Sequence, residues 1–214
     1  MAEPFDDDDD LHRLKEWWKA NGWSLLLGVI AGLIIIGGWQ GWQMYSDRQA
    51  REAAVQFAKF HQLRTAQADS KQLVTAAEAL QSDHGGSPYA ARAGLAMAAY
   101  FEGRQDYDQA IASLQWVIEN GEPEELRQLA RVRQARLIWA QGDPKAALAK
   151  LEVAHAKVYT PLYAELAGDI HAAAGDRAKA RSAYQQALAT LPPAADPSTL
   201  RRKIDNVAAP EKSS

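Results

Sequence analysis

Residues 175–184 read Gly-Asp-Arg-Ala-Lys-Ala-Arg-Ser-Ala-Tyr, and residues 142–151 read Gly-Asp-Pro-Lys-Ala-Ala-Leu-Ala-Lys-Leu. Both begin with Gly-Asp, have an alanine five residues after the glycine, and have a large apolar side chain four residues after that alanine. A looser copy begins at Gly103 and has two extra residues before its alanine. The three alanines, at positions 110, 147 and 180, are 37 and 33 residues apart. A fixed period of this length indicates a repeated supersecondary unit.

A period near 34 residues with this alanine pattern is typical of tetratricopeptide repeats, in which each repeat is a pair of antiparallel helices. The last copy is the most complete, because Ala167 and Gly168 suit a tight helix crossing and Pro192 closes the repeat. Each pair leaves an apolar face that only a neighbouring repeat can cover. We therefore predict an all-α fold, with a tetratricopeptide-like α-solenoid of antiparallel helix pairs and a C-terminal capping helix over residues 88–207.

A second stretch predicts a membrane anchor. No residue between Lys19 and Asp47 carries a formal charge, and nine of residues 23–42 are Leu, Ile or Val. Twenty helical residues span roughly 30 Å, the thickness of the hydrocarbon core of a bilayer. Tryptophans at both ends suit the headgroup region. We predict a single N-terminal transmembrane helix over residues 23–45, with the lipid bilayer as a partner.

Two alternatives to an anchor are a buried core helix and a cleaved signal peptide. The length and the absence of charge disfavour a core helix. The acidic leader and the bulky residues Trp39 and Trp42 after Ile36 disfavour a signal peptide, which needs small residues at its cleavage site. Three basic residues precede the helix and four follow it closely, so the positive-inside rule leaves the orientation open.

The remaining segments flank these two units. Residues 1–22 form an acidic tail in which we expect the five aspartates at residues 6–10 to be disordered and solvated. The short amphipathic segment that follows, residues 11–19, suits a membrane surface. We expect juxtamembrane helices over residues 46–87 and a disordered tail over residues 208–214.

The anchor contains two pairs of glycines with the GxxxG spacing. Gly28 and Gly32 form the first pair, and Gly37 and Gly41 form the second pair about half a turn around the helix. Small residues at this spacing let another helix approach closely, although glycine is also common in membrane helices without such a role. We predict partner binding at these four glycines.

A second candidate site lies in the repeats. If Gly142 ends the first helix of its repeat, Arg136 and Trp139 fall on the concave side, with Asp169 on that side in the next repeat. Solenoid grooves hold extended peptides or partner helices. A tryptophan not needed for packing would serve there as an apolar anchor. The alternative is that the arginines of this segment form a solvated face balanced by nearby glutamates.

Several function classes are disfavoured by what the sequence lacks. There is no cysteine, so disulfides and thiolate chemistry are excluded. There is no Walker loop, no dinucleotide fingerprint, no G-x-S-x-G and no H-E-x-x-H, and the five histidines are scattered. A net charge of -3 does not suggest a nucleic-acid partner. We therefore expect no enzymatic activity, no catalytic residues, no metal site and no cofactor.

A resemblance adds to this interpretation. It is carried by Asn21-Gly22 before the anchor, Gly38-Trp39 near its end, Leu129-Ala-Arg-Val132, the two Gly-Asp copies and Lys203-Ile-Asp-Asn206. In these features the chain resembles the YfgM family, the ancillary subunit of the bacterial SecYEG translocon. The resemblance spans nearly the whole chain, but it does not explain the aspartate run.

The resemblance implies a location and partners that composition does not give. It implies a single-pass protein of the bacterial inner membrane with a cytoplasmic N-terminus and a periplasmic repeat domain. Partners would be the SecYEG translocon and a membrane-anchored, parvulin-like periplasmic chaperone. The implied role is a non-catalytic scaffold that helps pass newly translocated, unfolded polypeptides to periplasmic chaperones. The alternative is a generic inner-membrane tetratricopeptide adaptor that assembles another envelope complex.

Overall fold

The computed structural model describes residues 7–208, and this part of the chain contains helices and no β-strand. The helices are α1 Asp7–Thr65, α2 Ser70–His84, α3 Pro88–Glu102, α4 Tyr107–Asn120, α5 Glu124–Ala140, α6 Pro144–Leu151, α7 Thr160–Ala173, α8 Arg177–Ala189 and α9 Ser198–Ala208. A 3-10 turn, Lys157–Tyr159, precedes α7. The predicted all-α fold is confirmed.

The chain divides into two compact units, Met1–Arg51 and Glu52–Ser214. In the second unit each helix from α2 onward packs against the next, and α5 also contacts both α3 and α7. The pairs α3/α4, α5/α6 and α7/α8 are therefore stacked repeats, and α9 packs on α8 as a cap. This is the arrangement that the repeat pattern predicts.

The Gly-Asp pattern marks the turn inside each pair. Gly142 has φ +92° and Gly175 has φ +78°, in the left-handed region that glycine adopts without a steric penalty. The following aspartate caps the second helix: Asp143 Oδ1 accepts from the Ala146 N–H at 2.8 Å, and Asp176 Oδ1 accepts from the Lys179 N–H at 3.1 Å. The spacing that the two copies share therefore encodes one turn and one helix start.

The looser copy aligns differently from what we expected. Gln105 has φ +62°, and the next residue, Asp106, caps α4 by accepting from the Gln109 N–H at 3.3 Å. Gln105, and not Gly103, therefore occupies the left-handed position, and Ala110 lies five residues after it. The two apparent extra residues vanish in this alignment, so all three turns have the same length.

Close helix crossings stabilise the pairs. A Cβ added at Gly168 would overlap the ring of Tyr184, and one added at Gly94 would lie 2.5 Å from Val117 Cγ2. Ala110, Ala147 and Ala180 are completely buried. Small residues at these points let the backbones approach, while Tyr184 and Val117 fill the space beside them. The crossing at Gly168 agrees with the sequence prediction, whereas the one at Gly94 was not anticipated.

Helix α1 contains the predicted anchor. Its apolar stretch is long and apolar enough to cross a membrane, by length and composition, and none of that stretch is buried in the protein. Helix α1 begins at Asp7, so the structure gives residues 7–10 helical backbone where we expected disorder, and Asp6 lies outside the described residues. Residues 209–214, most of the predicted disordered tail, also lie outside them.

Candidate functional site

The four glycines of the anchor lie on open helix surface. A Cβ added at Gly28, Gly32, Gly37 or Gly41 would meet nothing within 4 Å. Large apolar neighbours on this stretch are also exposed, such as Ile35 at 70% and Trp42 at 68%. The two small-residue faces therefore have room for another helix, and partner binding at these glycines stays a prediction.

Arg136 and Trp139 lie in the last two turns of α5, and they differ in environment. The Arg136 side chain is exposed. Trp139 is half-buried and packs on the cluster formed by Val132, Ala135, Ala147 and residues of α7. Trp139 therefore takes part in packing, contrary to our premise that packing does not need it. Arg136 is the better candidate for a contact with a partner.

Asp169 is already engaged inside the protein. Its carboxylate accepts hydrogen bonds from Lys203 Nζ at 2.7 and 2.9 Å and from the Tyr184 hydroxyl at 2.8 Å. Lys203 also donates to Glu165 Oε1 at 2.7 Å and lies 5.6 Å from the centroid of the Tyr184 ring. We define these four residues as the α9 lock, because Lys203 belongs to α9 and its partners belong to α7 and α8. The Asp169 carboxylate therefore has partners inside the protein, and its role in partner binding stays a prediction.

The α9 lock also sets the ionisation of its members. Partial burial disfavours the charged ammonium of Lys203, but its hydrogen bonds to the Asp169 and Glu165 carboxylates outweigh this and raise its pKa. Burial, together with the adjacent Asp169 carboxylate, raises the pKa of the Tyr184 phenol. Lys203 therefore stays cationic and Tyr184 stays neutral at physiological pH. A hydrogen bond also connects α8 with α9, because Arg177 Nε donates to the Val207 carbonyl in the last turn of α9 at 3.0 Å.

The basic face of α5 is largely neutralised by its own first turn. Arg127 pairs with Glu124 and Glu122, and Arg131 lies 3.8 Å from Glu124. Burial opposes ionisation of Glu124, but hydrogen bonds from Gln128 and Arg127 lower its pKa. These two arginines are balanced by glutamates, as in the alternative that we considered, although both side chains are half-buried. Arg133 and Arg136 remain as exposed basic residues.

Two buried glutamines join the repeats. Gln128 accepts from the Tyr163 hydroxyl and donates to Glu124, so it links α5 with α7. Gln134 is 1% exposed and donates to Gln115 Oε1 at 2.9 Å, linking α5 with α4. Among the described residues, no group of histidine, aspartate and glutamate side chains could hold a metal ion. The hydrogen bonds that join different helices were missed by sequence reasoning, because the residues that they connect are 15 to 38 residues apart in the chain.

Comparison with known proteins assigns the family. A family profile described as a tetratricopeptide repeat-like domain matches residues 15–209. The chain is similar to the "Ancillary SecYEG translocon subunit" of Neisseria gonorrhoeae, with 31% identity over 90% of this chain and 92% of that protein. It is also similar to the proteins of that name from Haemophilus influenzae, with 26% identity over 87% and 91% of the two chains, and from Escherichia coli, with 26% identity over 94% and 96%. No solved structure matches the chain significantly.

Because these matches cover the apolar stretch together with all of the repeats, the chain belongs to the tetratricopeptide repeat-like family of ancillary SecYEG translocon subunits.

Proposed function

We propose that this chain is a non-catalytic, membrane-anchored subunit of the SecYEG translocon. The observation that carries the proposal is the extent of the similarity, which includes both the apolar part of α1 and the stacked repeats. A shared repeat alone would support only a protein-binding solenoid, since tetratricopeptide repeats occur in many assemblies. The combination of anchor and repeats supports a solenoid held at a membrane machine.

In this proposal α1 crosses the bacterial inner membrane, the N-terminal tail is cytoplasmic and the repeats are periplasmic. The repeats help to pass newly translocated polypeptides to periplasmic chaperones, among them a membrane-anchored, parvulin-like chaperone. Arg136 and the open glycine faces of the anchor are the contact points that we propose. The support for Arg136 is its exposure at the end of α5, in the layer that α3, α5 and α7 form.

Site-specific photo-crosslinking in intact membranes tests the partner. A photoreactive residue at position 32 probes the anchor, and one at position 136 probes the repeats. We expect the first to label translocon subunits and the second to label a periplasmic chaperone. If both positions label only components of another envelope complex, the chain is the generic tetratricopeptide adaptor, and the translocon assignment is wrong.

Protease accessibility tests the topology in the same cells. Protease added to spheroplasts should degrade the repeats and leave a protected fragment that contains the anchor. Degradation of the repeats only after the inner membrane has been ruptured would place them in the cytoplasm and would contradict the proposed role.

A further inference from the structure

Helices α1 and α2 form a wide cleft in an otherwise closely packed array. Each consecutive pair of helices from α2 to α9 packs backbone against backbone, whereas the backbones of α1 and α2 scarcely approach each other. These two helices meet through large side chains, since Phe60, Leu73 and Leu80 are buried in one hydrophobic cluster. Between them lies an open cleft of about 600 Å³. We call it the α1–α2 groove.

The α1–α2 groove has an apolar floor and a basic rim. Helix α1 contributes Gln56, Lys59 and Leu63, and helix α2 contributes Lys71, Gln72, Thr75, Ala76 and Ala79. The two lysines are the only charged residues in this lining, and both are exposed. Lysine side chains cover apolar surface with their methylene stems while the ammonium groups stay in water. An occupant would therefore meet apolar surface in the middle and positive charge at the edges.

One polar atom at the groove lacks a partner. Gln56 Oε1 is buried and accepts no hydrogen bond from any described residue, while Gln56 Nε2 donates to Asp83 Oδ2 at 3.4 Å. A buried acceptor without a donor is destabilising. A donor from an occupant would satisfy it. Together with the width of the groove and its charge, this atom points to a bound segment.

We infer that the α1–α2 groove docks a short, acidic, amphipathic helix of a partner protein. The residues that α2 contributes, Lys71 to Ala79, extend about 12 Å along its axis, which corresponds to two or three turns of an occupying helix. Helix-in-groove recognition uses apolar anchors at helical spacing, and here carboxylates beside those anchors would face Lys59 and Lys71. A second copy of this groove is a poor occupant, because its own lysines would repel those of the first.

The test uses the full chain in phosphatidylcholine nanodiscs. The chain has no cysteine, so Thr75→Cys gives a unique site for an environment-sensitive fluorophore, and Ala149→Cys on α6 gives a matched label outside the groove. The probe is a 14-residue helical peptide with leucines on one face and glutamates beside them. The control peptide has lysines in place of the glutamates.

We expect the glutamate peptide to shift the emission from position 75 to the blue and to leave that from position 149 unchanged. Lys59→Glu/Lys71→Glu should weaken this binding by about tenfold or more, because two favourable charge contacts become repulsive. Lys145→Glu/Lys150→Glu, a charge reversal of equal size on α6, should bind as the wild type does. Circular dichroism melts of both variants establish that they are folded.

Three outcomes would overturn the inference. The first is that the glutamate peptide produces no shift, and the second is that both peptides bind equally. The third is that reversal of Lys59 and Lys71 leaves the affinity unchanged in a folded protein. Phosphatidylglycerol vesicles are tested in parallel, and a shift with vesicles but not with the peptide would assign the groove to anionic lipid instead.

Discussion

Gly168 is the residue at which the close packing of a repeat can be tested most directly. It lies where α7 crosses α8, and its missing side chain leaves the space that the Tyr184 ring occupies. Gly103 offers a matched control, because it has an ordinary helical φ of -62° and an added Cβ would approach the Ala99 carbonyl oxygen only to 3.5 Å.

Gly168→Ala should lower the free energy of unfolding by about 1–3 kcal/mol, since an added methyl group must displace an aromatic ring in a packed core. Gly103→Ala should change it by less than about 1 kcal/mol. Chemical denaturation followed by circular dichroism measures both. Equal effects of the two substitutions would contradict the close crossing at Gly168.

Lys203 is the second residue with a measurable role, because it closes the α9 lock. Lys203→Met keeps the apolar stem but leaves Glu165 and Asp169 without their cation. We expect it to cost roughly 1–3 kcal/mol of stability at neutral pH, the range for leaving a polar group without its hydrogen-bond partner. Arg201→Met, a change at an exposed residue of the same helix, should cost little.

The stability that Lys203 contributes should depend on pH in one direction. Its pKa is raised in the folded protein, so its contribution is complete below the unfolded pKa of about 10.4 and is lost as pH rises through the folded pKa. Thermal melts from pH 7 to pH 11 should show wild type and Lys203→Met converging only at the alkaline end. Convergence between pH 7 and pH 9 would contradict the assignment.

At the scale of elements, α1 differs from the other helices because its apolar stretch is not buried in the protein. Among the side chains that the structure describes between Trp23 and Tyr45, the large apolar ones are exposed. Such a surface is unfavourable in water and favourable in lipid. Membrane insertion of the anchor can therefore be tested by introducing a single charged side chain into it.

Ile34→Arg should disfavour insertion by about 3 kcal/mol, because Ile34 lies near the middle of the apolar stretch. We expect part of the protein to move from the membrane fraction to the soluble fraction or to be degraded. Ile34→Leu is the matched control and should fractionate as the wild type does. Complete retention of Ile34→Arg in washed membranes would contradict a transmembrane role for α1.

At the scale of the molecule, the hydrophobic clusters found among the described residues lie in the second unit. The first cluster begins at Ala53, which is completely buried, and the last ends with Val207 packed on α8 and its neighbours. Each cluster joins residues from successive helices, so the stability of the repeats is a sum of neighbouring interfaces. Nothing in these clusters depends on the apolar stretch of the anchor.

A chain that starts at residue 46 should consequently fold without lipid. We expect a soluble, helical protein with a cooperative thermal transition, because all of the buried apolar residues of the repeats are retained. A chain that starts at residue 62 removes Phe60 and Ala53 from the first cluster and should be less stable or aggregate. A non-cooperative melt with dye binding to exposed apolar surface in the longer chain would contradict an autonomous core.

The sequence by itself determined the fold class, the anchor and the turns of the repeats, because these depend on local features. The length of an apolar stretch, the helical periodicity and the Gly-Asp turn each depend on residues close together in the chain. Each can therefore be recognised directly in the sequence. The resemblance to a known family followed from the order of these same local motifs along the chain. The third copy was aligned on Gly103 by mistake, because the left-handed position of its turn is occupied by Gln105 and a sequence pattern assigns that position to glycine.

Only the tertiary structure decided which polar residues are free to bind. From the sequence, we predicted that Asp169 and Trp139 bind a partner. In the structure, Lys203, which lies 34 residues beyond Asp169, donates a hydrogen bond to the Asp169 carboxylate. The Trp139 side chain packs on the hydrophobic cluster that α6 shares with α5 and α7. The sequence does not reveal the α1–α2 groove either, since the groove depends on how the two helices pack. The hydrogen-bond partners of a side chain and the shape of a groove both arise from contacts between segments that are distant in the chain. A local sequence pattern therefore does not predict them.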